Sequence, residues 1–196
     1  MRTNSIRQSA GFTIIEVMVT LALLGAVLAI GLPNLREFLT RGQVSTITTE
    51  FASDASRART EAISRNSCVT MCMSSNTSNA LSGGTPTCAT AGQNWQAGWI
   101  LFANPSCSGT QNSPITNNST LISVRQKGDS KFTLEQASGS ALRRITFDSR
   151  GLAAGVSKNL SLIYNEDINS VHDRSICLSY AGRITIKTYG GVSACP

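Results

Sequence analysis

A single carboxylate, Glu16, interrupts an otherwise uncharged apolar run near the start of the chain. Residues 1–11 are short and polar, whereas residues 12–35 are almost wholly apolar. A carboxylate within a membrane helix is costly unless it is paired, and such residues are usually functional. A cut between Gly11 and Phe12, where polar changes to apolar, would create an α-amine four residues before Glu16. That amine would lie within pairing reach across one helical turn, and a neighbouring subunit could equally supply the cation.

The length and flanking charges of this segment suit a membrane anchor. A helix over residues 12–35 would rise about 36 Å, enough to cross a bilayer core of roughly 30 Å. Arg2 and Arg7 precede it, which predicts that this end stays in the cytoplasm. A secretory signal would carry a small-residue cleavage site after the apolar stretch, and the Ala-Ile-Gly-Leu-Pro run at residues 29–33 is a poor candidate. We therefore expect the C-terminal part to be exported.

Patterns for catalysis or metal binding find little support. The single histidine, His172, lies in a polar segment without the scaffolded nucleophile that a catalytic triad needs. Cys68 and Cys72 have C-x3-C spacing with no second ligand pair nearby, unlike zinc sites. The glycine pairs at 83–84 and 190–191 are turn signals and match no phosphate-binding loop. We expect no enzyme activity, no metal and no cofactor.

Six cysteines in an exported chain favour disulfides over free thiols. They admit fifteen pairings. The favoured pairs are Cys177–Cys195, Cys72–Cys88 and Cys68–Cys107. The first rests on a predicted C-terminal hairpin that returns the chain, the second would close a long loop, and the third follows by elimination only.

The chain is mildly basic, with a formal charge of +6. Arg183 and Lys187 alternate with Thr185, so all three share one face of the predicted last strand. Such a face could bind DNA phosphates in a salt-dependent way. A basic strand edge also discourages edge-to-edge aggregation, so both roles stay open at this point.

The apolar helix is predicted to continue as an amphipathic one to about Ser64. Its apolar positions recur every three to five residues, at Leu35, Phe38, Leu39, Val44, Ile47, Phe51, Ala55, Ala58 and Ala62. Gly31 and Pro33 predict a kink, because proline removes one backbone hydrogen bond and clashes with the preceding turn. Gly42 is a second weak point. The first half of so long a helix must protrude, and the second half must pack on something.

Eight short strands are predicted, most of them from alternating apolar and polar residues, at Cys68–Met73, Trp99–Phe102, Leu121–Gln126, Lys131–Gln136, Arg144–Phe147, Leu160–Tyr164, Ser175–Tyr180 and Arg183–Thr188. Ala181-Gly182 predicts a two-residue hairpin turn. The fold class is α+β, a long kinked helix packed on antiparallel sheets with one covered face. We expect three parts, a cleaved leader at residues 1–11, a membrane helix at 12–35 and a globular domain at 36–196.

The hexapeptide Gly11-Phe12-Thr13-Ile14-Ile15-Glu16, followed by Pro33, resembles the class III signal of type IV pilins and type II secretion pseudopilins. Downstream segments are similar to the H-type pseudopilin and FimT/FimU minor pilin group. These segments are Ala58-Arg59-Thr60-Glu61-Ala62-Ile63, Arg65-Asn66, Gly98-Trp99-Ile100-Leu101-Phe102, Phe147-Asp148-Ser149-Arg150-Gly151, Ile176-Cys177-Leu178-Ser179 and Gly182-Arg183.

The resemblance implies cleavage after Gly11 and N-methylation of Phe12 by a prepilin peptidase. It implies a role for Glu16 in docking against other minor and major pilins. A pilin-like chain would stand in the inner membrane with its globular domain in the periplasm, and then enter a surface pilus or a periplasmic pseudopilus. The pair Cys177–Cys195 also resembles the C-terminal disulfide loop of many pilins.

Three functions remain after this comparison. The chain is a minor pilin at or near a pilus tip that aids assembly, an H-type pseudopilin of type II secretion, or a minor pilin that captures double-stranded DNA. Some FimT-like pilins bind DNA through a C-terminal Gly-Arg-x-Arg motif. This chain has Gly182-Arg183-Ile184-Thr185, which lacks the second arginine, with Lys187 two positions on. The cysteine-rich loops and the basic hairpin favour the pilus.

Overall fold

The computed structural model describes residues 11–116, 118–136, 141–153, 158–165 and 172–188. In these residues one long helix precedes eight strands. The elements are α1 Ile14–Arg65, β1 Val69–Met73, β2 Trp99–Ala103, β3 Leu121–Arg125, β4 Phe132–Gln136, β5 Arg144–Phe147, β6 Lys158–Tyr164, β7 Arg174–Leu178 and β8 Ile184–Thr188. The predicted strand ends agree with these bounds to within two residues. The chain divides into two compact units, residues 1–41 and 42–196, whereas the boundary expected from sequence lies at residue 35.

The described part of the first unit is the first half of α1 with the residues just before it. The helix is unbroken through Gly31 and Pro33, and the kink expected there stays a prediction. Its apolar side chains are exposed, including Ile14 at 81% and Leu24 at 55%. Among the described residues, no helix combines the length and the apolarity that crossing a membrane requires. The membrane segment expected at residues 12–35 stays a prediction.

The second half of α1 provides one face of the core of the globular unit. The predicted positions that are at most 7% exposed are Val44, Ile47, Phe51, Ala55, Ala58 and Ala62. Leu35, Phe38 and Leu39 were expected to extend this face, but they are 52%, 71% and 56% exposed. That expectation is wrong because these three residues precede Gly42, where the globular unit begins.

The strands form two antiparallel four-stranded sheets, sheet A in the order β3-β2-β1-β5 and sheet B in the order β4-β6-β7-β8. One hydrophobic cluster joins α1 to both sheets, with Met71 and Leu101 from sheet A and Phe132 and Leu160 from sheet B. This confirms the α+β class and the packing of the helix on antiparallel sheets.

Polar contacts fix α1 against sheet A around the buried indole of Trp99. The Trp99 Nε1–H donates to Asp54 Oδ2 at 2.7 Å, and Phe51 packs edge-on to the Trp99 ring at 5.4 Å. The guanidinium of Arg125 lies 4.5 Å from the same ring and pairs with Glu50 at 3.1 Å. A cation over an aromatic face and a buried N–H with a partner both stabilise such a junction.

Sheet A differs from the expectation of one covered face. Every residue of β1 and β2 is buried, and a second cluster on the outer face contains Cys72, Cys88, Ile100 and Phe102. The loop that follows β1 covers this face because the Cys72–Cys88 disulfide holds it there. The sequence of β2 contains a signal for burial of both faces, because its Trp-Ile-Leu-Phe run is apolar throughout and lacks polar alternation.

The hairpin between β7 and β8 also differs from expectation. The Gly182 amide donates to the Ser179 carbonyl, and the Ser179 amide donates to the Arg183 carbonyl, both at 2.9 Å. The loop therefore has three residues, 180–182, and not the two predicted. Gly182 has φ +71°, the left-handed conformation that ends a three-residue hairpin loop.

Candidate functional site: the processing motif and the motif junction

The start of α1 is set by Thr13, which sequence reasoning left without a role. Thr13 immediately precedes the helix, and its Oγ1 accepts a hydrogen bond from the Glu16 amide at 3.3 Å. A threonine at the N-cap satisfies one of the helix's unpaired amides. The Thr-x-x-Glu spacing before an apolar run is a capping-box pattern, so a sequence signal for this cap was present.

Glu16 occupies the first turn of α1 and is exposed. A carboxylate at this position interacts favourably with the positive end of the helix dipole. Phe12 lies before the first helical residue and is 83% exposed. Helical spacing therefore does not set the distance between residue 12 and Glu16 in the uncleaved chain, and their pairing stays a prediction. The bond between Gly11 and Phe12, where cleavage is predicted, lies in non-helical backbone.

A second site forms where β5 ends, in the Phe-Asp-Ser-Arg-Gly segment. Asp148 Oδ1 accepts hydrogen bonds from the amides of Arg150 and Leu152, each at 2.9 Å. The hydrogen bond from the Leu152 amide, followed by those from Arg150, lowers the pKa of the Asp148 carboxyl below its usual range. The turn places Gly151 at φ +79°. Aspartate side chains stabilise turns by such bonds to backbone two or more residues on.

Arg59 of α1 connects this turn to the β7–β8 hairpin. Its Nε donates to the Gly151 carbonyl oxygen at 3.0 Å, and the Ala153 amide donates to the Tyr180 carbonyl of the hairpin at 2.9 Å. A Cβ on Gly182 would stand 2.2 Å from the Gly151 oxygen, so glycine is needed for this close approach. Arg59, Gly151 and Gly182 come from three of the motif segments found in the sequence, and they meet here. We call these three residues the motif junction.

The structure joins Cys68 to Cys107 with a Cα–Cα distance of 5.1 Å and Cys72 to Cys88 with 5.5 Å. Both distances suit disulfide geometry. The first bond fastens the long loop that follows β2, which contains Cys107, and the second fastens the long loop that follows β1, which contains Cys88; each joins its loop to an end of β1. Cys177 is also disulfide-bonded, and its expected partner, Cys195, lies outside the described residues. No cysteine is free in the described part of the chain.

Arg183 and Lys187 are both exposed. In the register of β7 and β8, Lys187 is opposite Ser175 and Thr185 is opposite Cys177. Cross-strand partners share a face, so Arg183, Thr185 and Lys187 lie together on one side of β8, as the alternation predicted. Within the described residues neither cation has an acidic partner.

Comparisons with known proteins agree with these observations. The model of the GspH family, type II transport protein GspH, matches residues 48–182. The model of the prokaryotic N-terminal methylation motif matches residues 6–32. The search of curated proteins found no match.

The fold is similar to crystal structures of the type IV minor pilin FimU of Pseudomonas aeruginosa. In one crystal form the TM-score is 0.53 at 15% identity, covering 76% of this chain and 92% of that one. In a second form the TM-score is 0.50 at 15% identity, covering 73% and 91%.

The fold and the two motifs define a pilin-like structural protein and not an enzyme. The family model spans most of the chain, so this chain belongs to the GspH family. Membership, together with the methylation motif, implies processing by a prepilin peptidase and assembly with other pilins.

Proposed function

We propose that this chain is a minor pilin subunit of a type IV pilus, placed at or near the tip, that aids the start of assembly. The observation that carries the proposal is the methylation motif at residues 6–32 joined to a globular unit whose fold is similar to that of the type IV minor pilin FimU. In this role the first unit holds the filament together, and the second unit makes contacts at its surface.

The exposed apolar side chains of the first unit support the assembly role. Such a continuous apolar surface is unfavourable in water, and it needs cover from lipid before assembly and from other subunits afterwards. In this proposal, cleavage after Gly11 frees the amine of Phe12, and Glu16 docks against a cation at the growing base of the filament. Before assembly the chain stands in the inner membrane with residues 36–196 in the periplasm, and it then moves to the cell surface.

A second candidate is an H-type pseudopilin of type II secretion, favoured by the description of the matching family, type II transport protein GspH. Both machines use the same processing and the same helix docking, so the separating observation is which machine fails without the chain. Deletion in the native cell should reduce the pili recovered by shearing and leave secretion of type II substrates unchanged. The opposite pattern would replace the proposal with the pseudopilin.

Glu16→Ala tests the docking role with Glu37→Gln as its matched control. Glu37 is another exposed carboxylate of α1, which pairs with Arg41 four residues on and lies outside the processing motif. We expect Glu16→Ala to be cleaved normally but to be scarce in sheared pili, because an uncompensated cation would remain in the apolar filament core. Equal amounts of the two variants in sheared pili would remove Glu16 from docking.

The DNA-capturing alternative rests on Arg183 and Lys187, whose shared exposed face is the observation that favours it. A gel shift with double-stranded DNA at about 50 mM salt tests it, because phosphate contacts are strong at low salt. Arg183→Ala with Lys187→Ala should weaken binding and flatten its salt dependence by about two phosphate contacts. Absence of binding to the wild-type chain removes this alternative and leaves a structural subunit.

A further inference from the structure

A cleft in the globular unit has two arginines and no acidic residue among the described residues that line it. It has a volume of about 450 Å³, and its lining consists of Ala89, Thr90, Gly109, Thr110, Asn112, Ala141, Leu142, Arg143 and Arg144. This volume is within the range of ligand-binding clefts. Three segments form its walls, the two loops fastened by the disulfides and the approach to β5. The cleft therefore exists because Cys68–Cys107 and Cys72–Cys88 hold both loops against one edge of sheet A.

Arg144 is the inner cation of the cleft. It is the first residue of β5, an edge strand of sheet A, and its guanidinium donates to the Gly109 carbonyl and to Asn112 Oδ1. Both acceptors are neutral. Arg144 is half-buried, and this burial lowers the pKa of its guanidinium. An arginine stays charged in proteins, and a half-buried charge without an opposite charge is unfavourable.

Arg143 precedes Arg144 in the chain and uses only part of its guanidinium in hydrogen bonds to the protein. Its Nε donates to the Gly92 carbonyl at 2.7 Å, and its two Nη groups make no hydrogen bond within the described residues. A guanidinium presents N–H groups in a fork that fits a carboxylate. Thr90 and Thr110 line the same cleft, and the Thr110 hydroxyl is hydrogen-bonded to Ser108 Oγ at 3.0 Å.

We infer that this cleft binds an acidic side chain of another polypeptide, that is, a carboxylate on a short aliphatic stem. Charge complementarity supports this occupant, because the part of the lining that the structure describes supplies two cations and no anion. Ala89, Ala141 and Leu142 give the cleft apolar walls along which methylene groups can pack. The phosphates of duplex DNA lie on a convex backbone, which fits a cleft of this kind less well. That the polypeptide is a neighbouring filament subunit rests on the proposed function, whereas the cleft itself does not.

The test uses the purified full-length chain in detergent micelles, labelled for NMR. The probe is N-acetyl-glutamate α-amide, a single glutamate side chain on a blocked residue, and the matched control is N-acetyl-glutamine α-amide. We expect saturable shifts of the Arg143 and Arg144 Nε–H signals and of the Gly92 amide with the glutamate probe alone. Affinity in the millimolar range is expected, since one ion pair with hydrogen bonds accounts for only a few kcal/mol.

Arg143→Gln is the principal variant, because it removes the Nη donors that have no partner among the described residues and only one hydrogen bond to the protein, that to Gly92. It should weaken binding of the glutamate probe at least about tenfold. Arg57→Gln, at an exposed helical arginine, should leave the affinity unchanged. Arg144→Gln is informative only if its tryptophan fluorescence shows the native fold, and Arg143→Gln decides the question if it does not.

Several results would overturn the inference. No saturable shift up to about 50 mM probe, far above the expected millimolar range, would do so, as would equal shifts with the glutamine probe or unchanged affinity in Arg143→Gln. Inorganic phosphate that binds as tightly as the glutamate probe would reduce the cleft to an unselective anion site. A DNA duplex that displaces the probe from the same signals would assign the cleft to nucleic acid instead. None of these outcomes depends on the behaviour of the chain in filaments.

Discussion

Arg59 and Gly151 are 92 positions apart in sequence, yet the Nε of the first donates to the carbonyl oxygen of the second at 3.0 Å. This one bond joins the end of α1 to the turn after β5. Gly182 of the β7–β8 hairpin lies against the same carbonyl. A helix, sheet A and sheet B therefore meet within a few ångströms. These contacts bring together an arginine and two glycines from three separate motif segments.

Gly182→Ala should destabilise the chain by roughly 1–3 kcal/mol. The new Cβ would stand 2.2 Å from the Gly151 oxygen, at a φ of +71° that alanine rarely adopts. Urea unfolding in detergent, followed through the buried Trp95 and Trp99, measures the change. Gly109→Ala is the control, because a Cβ there meets nothing within 4 Å. Equal unfolding midpoints for the two variants would show that the close approach does not matter.

Arg59→Met should lower the free energy of unfolding by about 1–3 kcal/mol, the cost of leaving a carbonyl without its charged donor. Methionine keeps the aliphatic stem, so the loss reports mainly the hydrogen bond to Gly151. Arg57→Met, at an exposed site on the same helix, should change stability by no more than about 0.5 kcal/mol. A double variant with Gly182→Ala should be less destabilised than the sum of its parts, because the residues are in contact.

Asp148→Asn should destabilise the chain at neutral pH and lose that effect in acid. The Asp148 pKa is lowered in the folded chain, so the unfolded chain binds the proton more tightly. The stabilisation from the carboxylate is therefore fully present above the unfolded pKa of about 3.9 and is lost as the pH falls through the lower folded value. Urea unfolding midpoints of the wild type and the variant between about pH 7 and pH 2 measure this loss of stabilisation. A difference between wild type and variant that persists at the acid end would contradict this assignment.

Removing the Cys72–Cys88 disulfide by double alanine substitution should cost about 3 kcal/mol, the value for a loop of this length. The loop spans 16 residues, and both sulfurs lie in a buried cluster with Ile100 and Phe102. Thermal unfolding in detergent measures the loss, and non-reducing peptide mapping should recover the Cys68–Cys107 and Cys72–Cys88 pairs from the wild type. A wild-type chain with several reactive thiols would contradict the disulfide framework.

The mature chain isolated from native membranes should begin at N-methylated Phe12. The reason is the match of the methylation motif to residues 6–32 and the exposed, non-helical residues 11–13. Intact-mass and N-terminal peptide mass spectrometry measure this, with Gly11→Val as a variant expected to accumulate uncut. An intact residue 1 in the wild type, or a cut after Gly31, would contradict the processing scheme.

Local patterns determined much of this protein from the sequence. The 3.6-residue period of apolar positions from Val44 to Ala62 predicted the buried face of α1, because a helix places such positions on one side whatever lies opposite. Two-residue alternation predicted most of the strands for the same reason. The processing motif is readable because a peptidase acts on consecutive residues. In each case the relevant neighbours are close in sequence.

Only the tertiary structure decided which distant segments meet. Nothing in the spacing of Arg59, Gly151 and Gly182 indicates that they touch, because contacts across 92 residues depend on sheet order and hairpin geometry. The burial of both faces of β1 likewise follows from a loop folded back by Cys72–Cys88, and the arginine cleft follows from both disulfides together. Sequence periodicity specifies which side of an element is apolar, whereas the fold specifies what that side, and the opposite one, will contact.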